Sequence, residues 1–462
     1  MKEELESLYE SVRSEDAVLW VGAGFSFYAD YISGKDLSKQ LYKKLDKTYQ
    51  KNLDRNNLQV VAQTLENTKE DGRQIIVQIL NDEFVNKKPK SKTYHKKLSE
   101  ISQIKTIITT NYDRLLEDSY KDNAQLIYRD NDISSIDERK VQIIKIHGDL
   151  RDPSTIVLTK KEYLKFFTEN KENVIWSVIK ERVATKTQIF IGYSLEDINV
   201  DYTLEMIWNK LDNRKKSYLI APDLNPSKIS ELESKGIIYI NSTGEKFIAA
   251  LSKIAKKVVV HDYNNAILRS AETVQKTLNE NNLSADFGQH EGKNIVKAIR
   301  ALNNRVKGKA NFSYDSGFHR ALNDALTGRT LDDINIPLRR ASLDLNGISV
   351  LQLKDMENLH LALRRNPNID SKINIKFTDV DIEVKDVPIK AYASEYSSKV
   401  NVSLKLGDII IKAQYLGLKT SDFEADFTLT TISKFEKIED VLEHFNLVWN
   451  LFSGKNFKIT FP

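Results

Sequence analysis

The feature that most constrains the fold is a short apolar run that stops abruptly at a pair of glycines. The run is Ala17–Val21, and it is followed by Gly22, Ala23 and Gly24, with Ser26 close behind. An unbroken apolar run is typical of a buried parallel strand. Glycines directly after such a strand are typical of a loop that binds a nucleotide phosphate. Glycine lets the backbone turn sharply and approach a pyrophosphate, to which amides at the next helix start can donate. Because many strand–turn–helix units carry GxG without a ligand, this stretch alone leaves a nucleotide site and a structural turn equally open.

Similar apolar runs recur along the first half of the chain and alternate with helical patterns. Lys105–Thr109, Val141–Ile146 and Gln188–Ile191 are three of these runs, and Glu172–Thr185 is one of the helical segments. Strands that alternate with helices predict an α/β fold with a Rossmann-like, doubly wound parallel sheet. Residues 37–96, between the first strand and the second, have helical patterns of their own. We therefore predict a helical insertion at 37–96.

Distinctive polar residues and glycines fall where four of the predicted strands end. The four clusters are Gly22–Ser26, Asn111–Asp113, His147–Asp149 and Gly192–Asp197. In doubly wound sheets, ligands bind at the carboxyl ends of the strands. Four such clusters at once are much less expected by chance than one GxG, so together they favour a nucleotide site.

Composition excludes several kinds of chemistry. The chain has no cysteine, which rules out disulfides, cysteine nucleophiles and iron–sulfur clusters, and its seven histidines lack the spacing of metal ligands, so we expect no metal. No apolar run approaches the roughly 20 residues of a membrane span, and the N-terminus lacks a signal-peptide core, so we expect a cytoplasmic protein without membrane contact. The 69 basic residues nearly balance the 65 acidic ones, which argues against direct binding of nucleic acid.

The pattern changes near residue 259. Gly292–Lys307 has helical spacing, whereas strict alternation begins at Ile373 and predicts several antiparallel strands, followed by a helix at Ile438–Phe452. We predict an N-terminal domain at 1–258 and, at 259–462, a helical linker plus a β-rich α+β domain.

A glycine turn, an amide and a histidine suit cleavage of the N-glycosidic bond of a bound dinucleotide. The transition state resembles an oxocarbenium ion, so the sugar, the leaving base and a water molecule must all be held. Asn111 can orient the ribose or the water, and Asp113 can accept a hydrogen bond from a carboxamide. His147 can act as general base on a ribose hydroxyl or on water, because imidazole titrates near neutrality. A triad of Ser26, His147 and Asp149 has no GxSxG elbow to support it.

The clusters also occur in a familiar order. GAGFS at Gly22–Ser26, TTNYD at Thr109–Asp113, KIHGD at Lys145–Asp149 and FIGYS at Phe190–Ser194 follow one another as in sirtuins. Longer strings such as IHGDLRDPSTIVLTKKEY and FIGYSLEDINV extend the match. The chain resembles, over about residues 1–258, the sirtuin-like NAD-hydrolysing domains of bacterial antiviral defence systems.

The resemblance implies a role for each cluster. Asn111 and His147 would be the catalytic pair, and Asp113 would meet the nicotinamide carboxamide. The residues that would hold the pyrophosphate are Gly22, Ala23, Gly24 and Ser26. The residues that would line the adenosine side are Gly192, Tyr193, Ser194 and Asp197.

Two departures from deacetylating sirtuins bear on the reaction. Those enzymes carry a four-cysteine zinc module and a GIPDFR-like stretch, whereas this chain has no cysteine and reads YISGKDL at Tyr31–Leu37. The resemblance therefore implies hydrolysis of NAD, the substrate, to nicotinamide and ADP-ribose by a triggered abortive-infection effector. A protein deacylase or ADP-ribosyltransferase is the alternative enzyme, and a catalytically silent NAD or ADP-ribose sensor is the alternative of another class.

Partners are implied for the C-terminal part. Relatives act with separate partner proteins and assemble into oligomers, so we expect a homo- or hetero-oligomer in which 259–462 senses a trigger or binds a partner protein. The alternation after Ile373 argues against the Rossmann-like nucleotide sensor of Thoeris-type effectors. A purely structural appendage is the other interpretation.

Overall fold

The computed structural model divides the chain into two compact units. One unit comprises Met1–Ala310 and Leu343–Gln352, and the other comprises Asn311–Ser342 and Leu353–Pro462. The residues that the structure describes are 2–169, 173–193, 204–313, 334–336, 340–353, 359–361, 367–394, 397–406, 409–416, 424–431 and 439–462.

The first unit is built around a seven-stranded parallel sheet. Its strands are β1 (Ala17–Val21), β2 (Thr106–Thr109), β3 (Ala124–Ile127), β4 (Val141–Lys145), β5 (Thr187–Ile191), β6 (Ser217–Ala221) and β7 (Ile237–Asn241). Their order is β3-β4-β2-β1-β5-β6-β7, so the strand order reverses at β1. Such a switch point is where open α/β sheets bind ligands, because the connections on its two sides diverge and leave a crevice.

Both faces of this sheet are buried, which is why its strands read as unbroken apolar runs. Leu19 and Val21 face a core that contains Leu8 and Phe247, whereas Trp20 on the same strand faces the opposite core. Helices cover both faces, as the doubly wound prediction requires. The described helices of this unit are α1 (Lys2–Arg13), α2 (Gly34–Tyr42), α3 (Lys47–Gln50), α4 (Leu58–Thr68), α5 (Gly72–Asn81), α6 (Thr93–Ser99), α7 (Leu115–Tyr120), α8 (Asp130–Ile133), α9 (Lys160–Glu169), α10 (Val174–Thr185), α11 (Pro226–Ser234), α12 (Gly244–Asn264) and α13 (Ala271–Asn279).

The predicted helical insertion is confirmed, and it has its own core. Leu41, Leu65 and Ile76 are fully buried there, and they belong to the same cluster as Tyr112 and Ile156 from loops at the carboxyl edge of the sheet. The insertion therefore packs directly on the loops that follow β2 and β4.

The prediction of a helix at Gly292–Lys307 is wrong. Strand β9 (Lys293–Ala301) occupies this segment and pairs with β8 (Leu283–His290) in an antiparallel hairpin. A bulge shifts the register, so that Ala298 faces Asp286 but Val296 already faces Phe287. The bulge brings Val296 and Ile299, three residues apart, into one apolar cluster, and this spacing imitates a helix.

The boundary region also differs in detail from the sequence pattern. Helix α12 continues through residues 258 and 259 and ends at Asn264. The division into functional domains at 1–258 and 259–462 stays a prediction.

The second unit contains the predicted antiparallel sheet. The remaining described strands, from both units, are β10 (Gly308–Ser313), β11 (Ile334–Ile336), β12 (Arg340–Leu345), β13 (Ile348–Leu353), β14 (Leu359–Leu361), β15 (Ile369–Phe377), β16 (Glu383–Ser394), β17 (Ser397–Leu406), β18 (Ile409–Leu416), β19 (Glu424–Thr431) and β20 (Phe457–Thr460). Six of them form one sheet in the order β19-β18-β17-β16-β15-β20. Ile373, Ile375 and Phe377 of β15 pack with Leu447 of helix α14 (Glu439–Phe452). Across the described parts of both units, no helix combines the length and apolar character that crossing a bilayer requires.

His95 on α6 is buried against the segment that follows β1. Its Nδ1 lies 2.6 Å from Tyr28 Oη, its backbone N–H donates to the same oxygen at 3.0 Å, and its ring packs on Phe25 with centroids 4.6 Å apart. Burial lowers the pKa of His95 to about 3, so the folded protein holds a neutral imidazole there.

We expect this histidine to make the stability depend on pH. The pKa of His95 in the folded protein lies below its value of about 6.5 in the unfolded chain. The stability gained by keeping the imidazole neutral is therefore complete above pH 6.5 and is lost as the pH falls towards 3. Between pH 7 and pH 5 this effect should lower the free energy of unfolding by about 2 kcal/mol. In His95→Gln, urea unfolding should show a pH dependence smaller by that amount, whereas exposed His290→Gln should behave like the wild type. Equal pH dependence in all three proteins would contradict the assignment.

Candidate active site

Four strand ends meet at the switch point of the sheet. Val21 of β1 pairs with Thr109 of β2 and with Ile191 of β5, and Thr109 also pairs with Lys145 of β4. Adjacent strands lie about 4.8 Å apart, so the residues just beyond these positions are close neighbours. The register brings together the four strand ends after which the clusters singled out in the sequence begin.

The turns after β1 and β5 touch backbone to backbone. Gly22 N–H donates to Ile191 O and Gly24 N–H donates to Gly192 O, both at 2.9 Å. A Cβ on Gly22 would lie 2.4 Å from Gly192 O, and one on Gly192, whose φ is +62°, would lie 2.0 Å from Phe25 N. The contact therefore requires glycine at both positions.

Ser26 follows in a 3₁₀ stretch (Ala23–Ala29) and faces the end of β2. Its hydroxyl donates to Asp113 Oδ2 at 2.8 Å and accepts from Asn111 Nδ2 at 3.3 Å. The hydroxyl is buried in this network, and its role with a pyrophosphate stays a prediction.

The amide of Asn111 has a defined orientation. Its Nδ2 donates to Ser26 Oγ and to Asp113 Oδ2, each at 3.3 Å, and its backbone N–H donates to Thr109 Oγ1 at 3.0 Å. A carboxylate only accepts, so the NH₂ group must face Asp113. Among the described residues, Asn111 Oδ1 has no hydrogen-bond partner. The side chain thus presents a carbonyl oxygen as its available atom.

Asp113 connects this network to helix α7. Its Oδ1 accepts from Leu115 N–H at 3.0 Å, while its Oδ2 accepts from Ser26 and Asn111. Burial raises the pKa of Asp113, against the lowering effect of these hydrogen bonds and of the Lys145 charge. Its predicted contact with a nicotinamide carboxamide stays a prediction.

His147 occupies the same position beyond β4 that Asn111 occupies beyond β2, namely two residues past a paired end. Its ring is buried, with Tyr112 at 6.5 Å and Tyr163 at 5.3 Å between centroids. The next residue, Gly148, has φ +78°, and a Cβ there would lie 2.1 Å from Thr155 O. The tight turn after His147 thus rests against the loop at residues 153–157.

Of the four residues predicted to line the adenosine side, the structure describes two. Gly192 lies in the turn described above, and Tyr193 packs on Trp20 and Phe190 with centroids 6.4 and 5.8 Å away. Ser194 and Asp197 lie outside the described residues. The proposed role of all four stays a prediction.

Lys145 is a site residue that sequence reasoning missed. Its ammonium, at the end of β4, contacts Asp113 O, Glu117 Oε1 and Asp149 Oδ2. The signal was a lysine closing the otherwise apolar run VQIIKI, directly before the HGD cluster.

A cavity of about 750 Å³ lies beside the end of β4. Its lining includes Lys145, Ile146 and Gly148, on both sides of His147 in sequence, together with Gln63 of α4 and Trp176 of α10. It is therefore bounded both by the sheet and by the helical insertion.

The described residues contain no group of three or more histidine, aspartate or glutamate side chains able to hold a metal ion.

Comparisons with known proteins find several proteins that this chain resembles. The family model described as a SIR2-like domain matches residues 105–240. The chain is 25% identical to NAD(+) hydrolase ThsA of Bacillus cereus (strain MSX-D12) over 334 residues, which are 70% of this chain and 68% of that protein. It is 34% identical to NAD(+) hydrolase ThsA of Cytobacillus dafuensis over 212 residues, 45% of this chain and 40% of that protein. Defense-associated sirtuin 2 of Bacillus subtilis is 28% identical over 259 residues, 54% of this chain and 24% of that one.

We expect Gly192→Ala to disrupt the site through the clash with the turn after β1. The added methyl group meets both a positive φ and the Phe25 nitrogen, so the loss of stability should be about 3 kcal/mol or more. Gly292→Ala is the matched control, because its φ is +75° but nothing lies within 4 Å. It should cost only the backbone strain, about 1 kcal/mol. Urea unfolding of both variants measures the difference, and equal losses would contradict the close contact.

Proposed function

We propose that this chain is a NAD⁺ hydrolase, because residues 105–240 match the family model described as a SIR2-like domain. The reaction cleaves the bond between nicotinamide and ribose and gives nicotinamide and ADP-ribose. Two of the relatives described above are named NAD(+) hydrolases, which supports this choice of substrate and reaction.

One observation carries the proposal, namely the register of β2 and β4 beside the glycine turn of β1. Because Thr109 pairs with Lys145, Asn111 and His147 leave neighbouring strands at the same level. An amide and an imidazole that follow neighbouring strands at a switch point are groups that suit this hydrolysis.

In the proposed mechanism, Asn111 and His147 act on the attacking water. Asn111 Oδ1 accepts one hydrogen bond from the water and fixes its position, and His147 accepts the proton as the new C–O bond forms. The glycosidic C–N bond breaks, and its electron pair leaves with nicotinamide as a neutral base. NAD⁺ and water thus become nicotinamide, ADP-ribose and a proton, with no change of oxidation state.

The glycine turn contributes mainly through its shape. The N–H groups of Gly22 and Gly24 already donate to the turn after β5. Their proposed role is to let the backbone come close to the pyrophosphate, with Ala23 and Ser26 beside it.

We extend the proposal to biological role and assembly. The name of the B. subtilis relative associates it with defence, which supports a triggered antiphage effector that depletes NAD. The C-terminal unit is the proposed site for a trigger or partner protein, in a homo- or hetero-oligomer. A cytoplasmic location, where NAD is available, belongs to the same proposal.

We expect Asn111→Ala and His147→Ala each to lower NAD hydrolysis by at least about 100-fold, because each removes a group that holds or deprotonates the water. Chromatography of nicotinamide and ADP-ribose measures the rate, both with the purified full-length chain and in phage-infected cells that express it. Exposed His290→Ala is the control and should retain the wild-type rate.

The outcomes separate the alternatives. Absence of both products in both settings, with NAD still bound, would favour a silent sensor. Loss of NAD that requires an acyl peptide or another acceptor would favour a deacylase or an ADP-ribosyltransferase. Unchanged rates in both alanine variants would remove Asn111 and His147 from the mechanism.

A further inference from the structure

Lys145 is a buried cation at the centre of the candidate site, and neither the sequence motifs nor the family resemblance assigns it a role. Its side chain is 1% exposed, although it lies beside a cavity. We propose that Lys145 is a positioning residue that clamps the turn carrying Asn111 to the turn carrying His147. This inference rests on the proposed NAD⁺ hydrolase function.

The three protons of the Lys145 ammonium have three acceptors. Nζ lies 3.1 Å from the backbone oxygen of Asp113, 2.9 Å from Glu117 Oε1 and 3.0 Å from Asp149 Oδ2. An ammonium group offers three donors and accepts nothing, so the contacts match its capacity. A cation that is buried and fully bonded in this way has little freedom to move.

Two of the acceptors lie on different turns, and the third, Glu117, lies on helix α7. Asp113 belongs to the turn after β2, and its carboxylate holds the Nδ2 of Asn111. Asp149 belongs to the turn after β4, two residues beyond His147. Lys145 thus bonds to both turns at once. These bonds lie beyond the end of the backbone pairing between β2 and β4, where Ile146 N–H donates to Thr109 O at 3.1 Å.

Electrostatics keep the clamp charged. Burial by itself would lower the pKa of Lys145, but the carboxylates of Glu117 and Asp149 outweigh it and raise the pKa above its usual value. Burial would likewise raise the pKa of Asp149, yet the Lys145 charge and the hydrogen bonds from Arg151 lower it to about 2. The Lys145–Asp149 pair is therefore ionised throughout the neutral range.

The geometry explains why a lysine is needed there. The three acceptors are a backbone carbonyl and two carboxylates on separate segments. The lysine side chain is flexible and its ammonium group has three rotatable donors, so it can reach all of them. The planar fork of arginine suits a bidentate partner and satisfies only part of this set. A methionine of similar length fills the space but makes none of the bonds.

The test compares Lys145→Met and Lys145→Arg with the wild-type full-length chain. Lys216→Met is the matched control, because Lys216 pairs with Glu4 at 2.9 Å and both side chains are half exposed. We expect Lys145→Met to lower kcat for NAD about 100-fold with KM within about threefold, since small misplacements of catalytic groups have effects of this size. The kcat of Lys145→Arg should be about tenfold higher than that of Lys145→Met. Lys216→Met should keep the kcat and KM of the wild type.

Hydrogen exchange provides a readout that does not depend on activity. In Lys145→Met, amides at residues 110–115 and 146–151 should exchange faster than in the wild type, while those of β6 and β7 stay unchanged. If Lys145→Met does not fold, Glu117→Gln serves instead, because it weakens one of the three contacts and should lower kcat several-fold with the same local rise in exchange.

The outcomes are decisive for the clamp. An unchanged kcat in a folded Lys145→Met protein, or a large rise in KM at constant kcat, would overturn it, since the second result assigns Lys145 to substrate binding. If the wild-type chain does not hydrolyse NAD, the proposed function fails, but the exchange experiment still decides whether Lys145 holds the two turns together. Unchanged exchange in both turns would overturn the clamp whatever the activity.

Discussion

The candidate site depends on the backbone contact between the turns that follow β1 and β5. Gly22 and Gly192 approach so closely that neither position has room for a methyl group. This contact fixes the direction in which the chain leaves β1, and thereby brings Ser26 over the end of β2. The hydrogen bonds of Ser26 then orient the amide of Asn111. A steric constraint between two backbones thus helps to determine which atom of the Asn111 amide is left without a hydrogen-bond partner among the described residues.

Two buried carboxylates near this crevice have opposite electrostatic environments. The Asp113 carboxylate accepts hydrogen bonds only from neutral groups and burial raises its pKa, although the nearby Lys145 charge opposes this, whereas the pKa of Asp149, which contacts Lys145 and Arg151 directly, is about 2. Asp149 is therefore suited to hold cations in place, while Asp113 is suited to accept hydrogen bonds from amide and hydroxyl groups. The ends of β2 and β4 differ in chemistry although they are alike in geometry.

Much of the fold could be predicted because burial on both faces leaves a clear trace in sequence. The apolar runs of β1, β2, β4 and β5, each ended by polar or glycine residues, indicated the parallel sheet and the edge at which the candidate site lies. The pairing of Asn111 with His147 stays a prediction, and the register agrees with it to the extent that each residue lies two positions past the paired ends of neighbouring strands. The alternation after Ile373 likewise indicated the antiparallel sheet.

What could not be predicted depends on register and on contacts between distant segments. The bulge in β9 gave Val296 and Ile299 a helical spacing, because one inserted residue changes which side chains share a face. The three bonds of Lys145 join residues up to 32 positions apart, and no local pattern reports them. The orientation of the Asn111 amide depends on Ser26, 85 residues earlier in the chain.

The helical insertion has a consequence for how this architecture can vary. Phe84 of the insertion contacts Tyr112, with ring centroids 6.0 Å apart, and Tyr112 in turn contacts His147 at 6.5 Å. A row of aromatic rings thus runs from the inserted helices to the imidazole, and it passes through the residue next to Asn111. Exchanging the insertion for that of a relative would also exchange the side chains that pack against Tyr112. Substitutions in the inserted helices and in the turns that carry Asn111 and His147 are therefore expected to constrain one another.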